Sequence, residues 1–176
     1  LGKLRLRGKS IHGTALDIAS AYSTIRFNID YSPVDCTGDI RTLIDYEDYA
    51  NASTKDVKFS YLFYGNKELR TAPDLPAKDL VEYCYCNMFS HCSSLTTTPA
   101  LPATTLVRYC YDNMFANCTS LTTVTSLPAY ELAEYCYYRM FTFCVSLTNL
   151  PELPEFSSLA TGCFKSMFQS YLKDGV

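Results

Sequence analysis

The sequence predicts an α/β fold: a curved solenoid with one short strand and one helix per repeat, entered through a small β-rich N-terminal cap. Three observations carry this expectation. Met88, Met114 and Met140, each followed by Phe, lie 26 residues apart, and so do Leu75, Leu101, Leu127 and Leu153, each followed by Pro. A fixed period of that length marks a stack of like units. Within a unit, Leu80, Cys84, Met88 and Cys92 recur every fourth position, with Val81, Tyr85 and Phe89 as a second row beside them. Such rows form one broad apolar face on an amphipathic helix of about three turns. The other half of the unit, Leu95 to Thr98 or Leu121 to Val124, is short, Thr-rich and followed by Pro, which suits one brief strand.

Residues 1–56 read as the cap. Leu4 and Leu6 alternate with Arg5 and Arg7, and Ile25, Phe27 and Ile29 alternate with Arg26, Asn28 and Asp30, both half-buried strand patterns. Ile40 to Ile44 supplies a third candidate strand. An end-cap is expected because a terminal repeat otherwise exposes apolar surface. The acidic segment that follows carries Asp45, Glu47, Asp48 and Asp56 but lacks the Gly and closing Glu spacing of a calcium loop, so it reads as a solvated turn. Asn51 and Asn117 each begin an Asn-x-Ser/Thr acceptor pattern.

Residues 57–176 read as the array, about four helical units, with the phrase Leu101 to Ser126 as its clearest statement. Asp79, Thr105, Glu131 and Ser158 share the position ahead of each apolar row, where a helix would begin; three of them are good N-cap residues, and Asp79 with Glu82 has the form of a capping box. Strands about 4.8 Å apart and helices about 8–10 Å apart would make the array curve, strands inside. The first and last units diverge: Lys58 and Asn66 replace the cysteines at one end, and Cys163 follows a spacing of 27 at the other. Such units are caps, or the array is cut short.

The nine cysteines invite a disulfide or metal reading. Eight residues of helix separate Cys84 from Cys92 by about 12 Å, and neighbouring helices would hold Cys84 and Cys110 too far apart to bridge. Buried free thiols are therefore expected. Cys86, whose counterparts are Asp112, Tyr138 and Lys165, is expected to face solvent. Cys84-x-Cys86 lacks zinc-ligand spacing, so no metal is expected. Cys36 has no evident partner.

Composition narrows the function classes. A net charge of -3 argues against nucleic acid, and the apolar runs are too short and interrupted for a membrane span. No signal-peptide pattern is visible. His12 and His91 stand apart from any nucleophile, and no phosphate or dinucleotide loop occurs, so neither enzyme nor cofactor is expected. Repeat arrays act through extended surfaces. The expected partner-binding row is Thr71, Thr97, Thr123 and Asn149, pointing outward, with Val124 and Leu150 pointing inward. Tyr83, Tyr109 and Tyr135 are expected to pack between repeats.

The pieces LPATTL, the CY pair, MF and CTSLTT resemble the 26-residue repeat of BspA-like leucine-rich repeat proteins of bacterial cell surfaces. The resemblance covers residues 57–172. It implies a leucine-rich repeat solenoid, an extracellular or surface-attached location, and adhesion to a host or bacterial surface protein or glycan. It brings no catalytic residues. The competing expectation is a structural spacer or displayed appendage segment with no specific ligand.

Overall fold

The computed structural model describes residues 5–15, 26–27 and 32–170. The repeat is present, but the helix is not. Among the described residues there is no α-helix; regular structure is limited to β1 (Val34–Asp35), a 3-10 helix (Ile40–Leu43) and β2 (Leu69–Thr71). β1 and β2 pair in parallel, Val34 opposite Leu69.

In place of each helix runs a ribbon of overlapping turns. Cys84, Cys86, Met88, Ser90 and Cys92 each donate their backbone N–H to the carbonyl three residues back, at 3.0 to 3.2 Å. The residues between them donate across to the next unit: Tyr85 to Cys110 O (3.0 Å), Asn87 to Asp112 O (2.8 Å), Phe89 to Met114 O (2.9 Å) and His91 to Ala116 O (2.8 Å). Tyr83, Asn87 and His91 have φ of 62°, 54° and 64°. That is the left-handed region, found at the third position of type II turns and absent from an α-helix. Asn and Gly tolerate it; a Tyr there is strained and must be held by its surroundings. Tyr83, Tyr109 and Tyr135 are held by each other, their rings stacked at 4.7 and 5.1 Å.

This corrects the helix-per-repeat solenoid. Apolar rows at strict four-residue steps fit a helix only while its 3.6-residue turn has not drifted. They fit a ribbon that repeats every four residues without drift, and the left-handed φ values carry that period. Without helices there is no mismatch between helix and strand spacing to bend the array. Phe63, Phe89, Phe115, Phe141 and Phe168 stack at 5.4 to 5.6 Å, so this half of the unit repeats near hydrogen-bonded strand spacing, well below helix spacing. The N-caps lose their role as well. Thr105 bonds the Glu131 carboxylate at 2.8 Å, and Glu82 pairs with Arg108 at 3.5 Å.

The strand half of the unit is also thinner than expected, reduced to single parallel bridges, Thr97 to Thr123 and Thr123 to Asn149. Among the described residues the lead-in is not a β-rich cap, β1 being its one strand. Ile40–Leu43 is a 3-10 helix, started by Asp39, whose carboxylate accepts the Arg41 backbone N–H. Arg5 to Arg7 form no strand; Leu4 and most of Ile25 to Asp30 lie outside the described residues.

One core runs the length of the stack. Leu62, Met88, Met114 and Met140 are fully buried, as are Leu95, Leu121, Cys92, Cys110 and Cys118. A second aromatic row, Phe59, Tyr85, Tyr111, Tyr137 and Phe164, stacks at 5.6 to 6.2 Å. The lead-in joins this core through Ile40 and Ile44, and Phe27 packs on Phe63.

Candidate functional site

The expected partner-binding row divides into two settings. Thr97, Thr123 and Asn149 are exposed and aligned by the parallel bridges. Thr71 is exposed on β2, where its hydroxyl donates to Cys36 O at 3.1 Å. The neighbouring threonines bond along the ladder: Thr122 Oγ1 donates to Thr96 O (3.2 Å) and Thr148 Oγ1 to Thr122 O (3.4 Å). Val124 points inward as expected. Leu150 does not: it is 68% exposed.

A second surface was not anticipated. It lies on the turn ribbons, at repeat positions whose chemistry changes from unit to unit. The Asn87 amide donates to Tyr61 Oη (3.4 Å) and to Cys86 Sγ (3.2 Å), and the Cys86 thiol donates to Asp112 Oδ2 (3.6 Å). Asn113 holds the other Asp112 oxygen. Tyr61 packs on Tyr64 at 5.5 Å, Tyr64 on His91 at 5.4 Å, and the Arg26 guanidinium covers both tyrosines at 5.4 and 5.0 Å. Arg139 lies 4.8 Å over the Tyr138 ring. Cys86, expected in solvent, is 3% exposed, covered by neighbours that include Asn87 and, in the next unit, Asp112.

Burial sets the electrostatics of this face. Asp112 is half-buried and its pKa is raised by desolvation, against the lowering contributions of Asn113, Cys86 and Arg139. Tyr61 is raised, first by burial and then by Cys86 and Asp112. The signal in the sequence was divergence within a repeat: Cys86, Asp112 and Tyr138 share one position, and Tyr61, Asn87, Asn113 and Arg139 the next. A helix reading scattered these positions around a cylinder; the ribbon brings them together.

All nine cysteines are free. The physical reason differs from the one expected, because in-register cysteines now sit at about strand spacing, within disulfide reach of one another. Instead the thiols turn to the backbone. Cys92 donates to Phe63 O, Cys118 to Phe89 O and Cys144 to Phe115 O, each at 3.1 Å.

His12 lies at an open cavity of about 490 Å³ lined by Ala15, Asp56, Lys58, Val81 and Glu82, where the lead-in meets the first unit. It gathers charge but no Ser or Cys nucleophile. Among the described residues no cluster of three or more His, Cys, Asp or Glu could hold a metal ion, and no helix is long and apolar enough to cross a membrane. Comparison with protein families, with curated proteins and with solved structures gives no match.

Proposed function

We propose that this chain is a non-enzymatic, adhesin-like interaction protein that binds a protein or glycan partner through its repeat stack. The observation that carries the reading is the contrast between positions. Through the three central units the core rows keep Met, Phe, Cys and Leu, whereas the connected face of Tyr61, Tyr64, Asn87, His91, Asp112, Asn113, Tyr138 and Arg139 varies from unit to unit, with Asn87 and Asn113 alike. Aromatic rings interleaved with amides, a carboxylate and guanidinium groups are the side chains that recognition surfaces favour. Asp112 supports the reading, since a carboxylate kept at a desolvation cost is more readily explained by binding than by folding. A cell-surface or extracellular setting is part of the proposal and rests on the likeness of the repeat phrase to BspA-like surface proteins.

The spacer reading is favoured by one observation: the Thr122 and Thr148 hydroxyls donate to backbone carbonyls of the ladder itself, at Thr96 and Thr122, and need no ligand. Binding to arrayed glycans and immobilised surface proteins separates the two. Arg139→Glu with Tyr138→Ser should abolish binding at unchanged stability, while Thr97→Lys with Thr123→Lys and Asn149→Lys should not. Loss only with the threonine-row variants would move the site to the expected row, and no binding by the parent chain would support the spacer.

A further inference from the structure

The turn ribbons have a direction. In each junction the donors are alternate N–H groups of one unit and the acceptors are carbonyls of the next: Tyr109, Tyr111, Asn113, Phe115 and Asn117 donate to Glu134, Cys136, Tyr138, Met140 and Thr142. One ribbon edge therefore carries only N–H groups and the other only C=O groups. Tyr135, Tyr137, Arg139, Phe141 and Phe143 donate in turn to Thr161, Cys163, Lys165, Met167 and Gln169. The next donors in the pattern are Gly162, Phe164, Ser166 and Phe168, and among the described residues their N–H groups meet no backbone acceptor.

Apolar surface opens at the same end. Leu75, Leu101 and Leu127 are 3%, 3% and 1% exposed, but Leu153 in the same row is 42% exposed, Leu159 is 64% and Phe168, the last ring of its stack, is 40%. Unpaired peptide donors beside uncovered apolar side chains make an edge that pairs with another chain segment.

The chemistry of the edge selects its occupant. A copy related by a two-fold axis would bring N–H groups against N–H groups. A head-to-tail copy would need the free carbonyl edge of the first ribbon, but Lys58 O already accepts from Thr14 and Ala15 (2.9 and 3.2 Å) and Leu62 O from Phe27 (2.7 Å). What fits is a ribbon that has the carbonyl edge and no lead-in over it. We propose that the edge at Gly162, Phe164, Ser166 and Phe168 is the docking site for a further unit of the same repeat. That unit enters carbonyl edge first and stacks its rings on Phe164 and Phe168, as every earlier junction does.

The test extends the full chain. A second copy of residues 144–170 is inserted directly after Ser170, and in a second variant residues 118–143 are inserted there instead. Both keep the repeat in phase and leave residues 171–176 at the end. Amide hydrogen exchange of Phe164, Ser166 and Phe168 is followed. The expected result is rapid exchange in the parent chain and at least about tenfold protection in the extended chains, with a single cooperative urea transition at a higher midpoint. Unchanged exchange in both variants, with the inserted unit digested by protease while the rest resists, would overturn the proposal. So would protection of the same amides in the parent chain together with concentration-dependent dimerisation, which would assign the edge to a second copy.

Discussion

The ring of Tyr135 occupies the space a side chain on Gly162 would need: a Cβ there would stand 2.4 Å from Tyr135 Cε1. The stacked row Tyr83, Tyr109, Tyr135 thus ends on a glycine with φ of 63°, the same left-handed position that the tyrosines hold in the earlier units.

Two glycines separate the ring from the backbone. Gly65 also has positive φ, 75°, but no atom lies within 4 Å of an added Cβ. Gly65→Ala should cost about 1 kcal/mol from the backbone alone, and Gly162→Ala a further 1–3 kcal/mol or so from the collision. Urea denaturation of both variants checks this, and equal losses would remove the ring contact from the account.

Core depth predicts a second contrast. Leu121 is fully buried in mid-stack, so Leu121→Ala should lower stability by about 2–5 kcal/mol. Leu153, half open at the end of its row, should lose less than about 1 kcal/mol on the same change. Similar losses would mean that the last unit is covered in solution.

The 26-residue period, the buried Met row, the buried Cys92, Cys118, Leu95 and Leu121, the inward Val124 and the exposed Thr97 and Thr123 were legible, because each depends only on which residue recurs where. The backbone was not. Four-residue spacing of Leu80, Cys84, Met88 and Cys92 fits both a short helix and a four-residue ribbon, and propensity favours the helix. The deciding hints were Asn87, Asn113 and Asn117, residues that tolerate left-handed φ, but Tyr83 and Arg139 share that conformation and carry no such signal. Cys86 was misplaced for the same reason, since in the ribbon Asn87 and Asp112 cover it, and Leu150 is exposed where the strand spacing put it inward.

Asp112 gives a pH prediction with a definite sign. Its folded pKa is raised by burial, so the folded state binds its proton more tightly than the unfolded state. It therefore destabilises the fold above its raised pKa, and the penalty fades as pH falls below the ordinary carboxylate value of about 4. Asp112→Asn should be more stable than the parent at pH 7 and indistinguishable near pH 3, measured by thermal unfolding at both. A less stable variant at pH 7 would show that the charge is satisfied.

The thiols set the alkaline limit. Burial pushes Cys36 and Cys136 up to about 11 and Cys84, Cys92 and Cys144 up to about 12, from an ordinary 9.0. Above pH 9 the unfolded chain releases protons that the folded chain keeps. Stability should then fall by about 1.4 kcal/mol per pH unit for each such thiol, until pH passes the folded pKa. Replacing Cys92 and Cys118 with Ala should lower stability at pH 7 but flatten the decline between pH 9 and 11. An unchanged slope would mean that these thiols titrate normally.

The turn ribbon itself is tested most directly by scalar coupling across hydrogen bonds in the labelled protein. The Phe115 amide nitrogen should couple to the carbonyl carbon of Met140, the residue it meets at 3.0 Å in the next unit. A coupling to the carbonyl of Tyr111, four residues back in the same unit, would restore the helix and contradict the stack described.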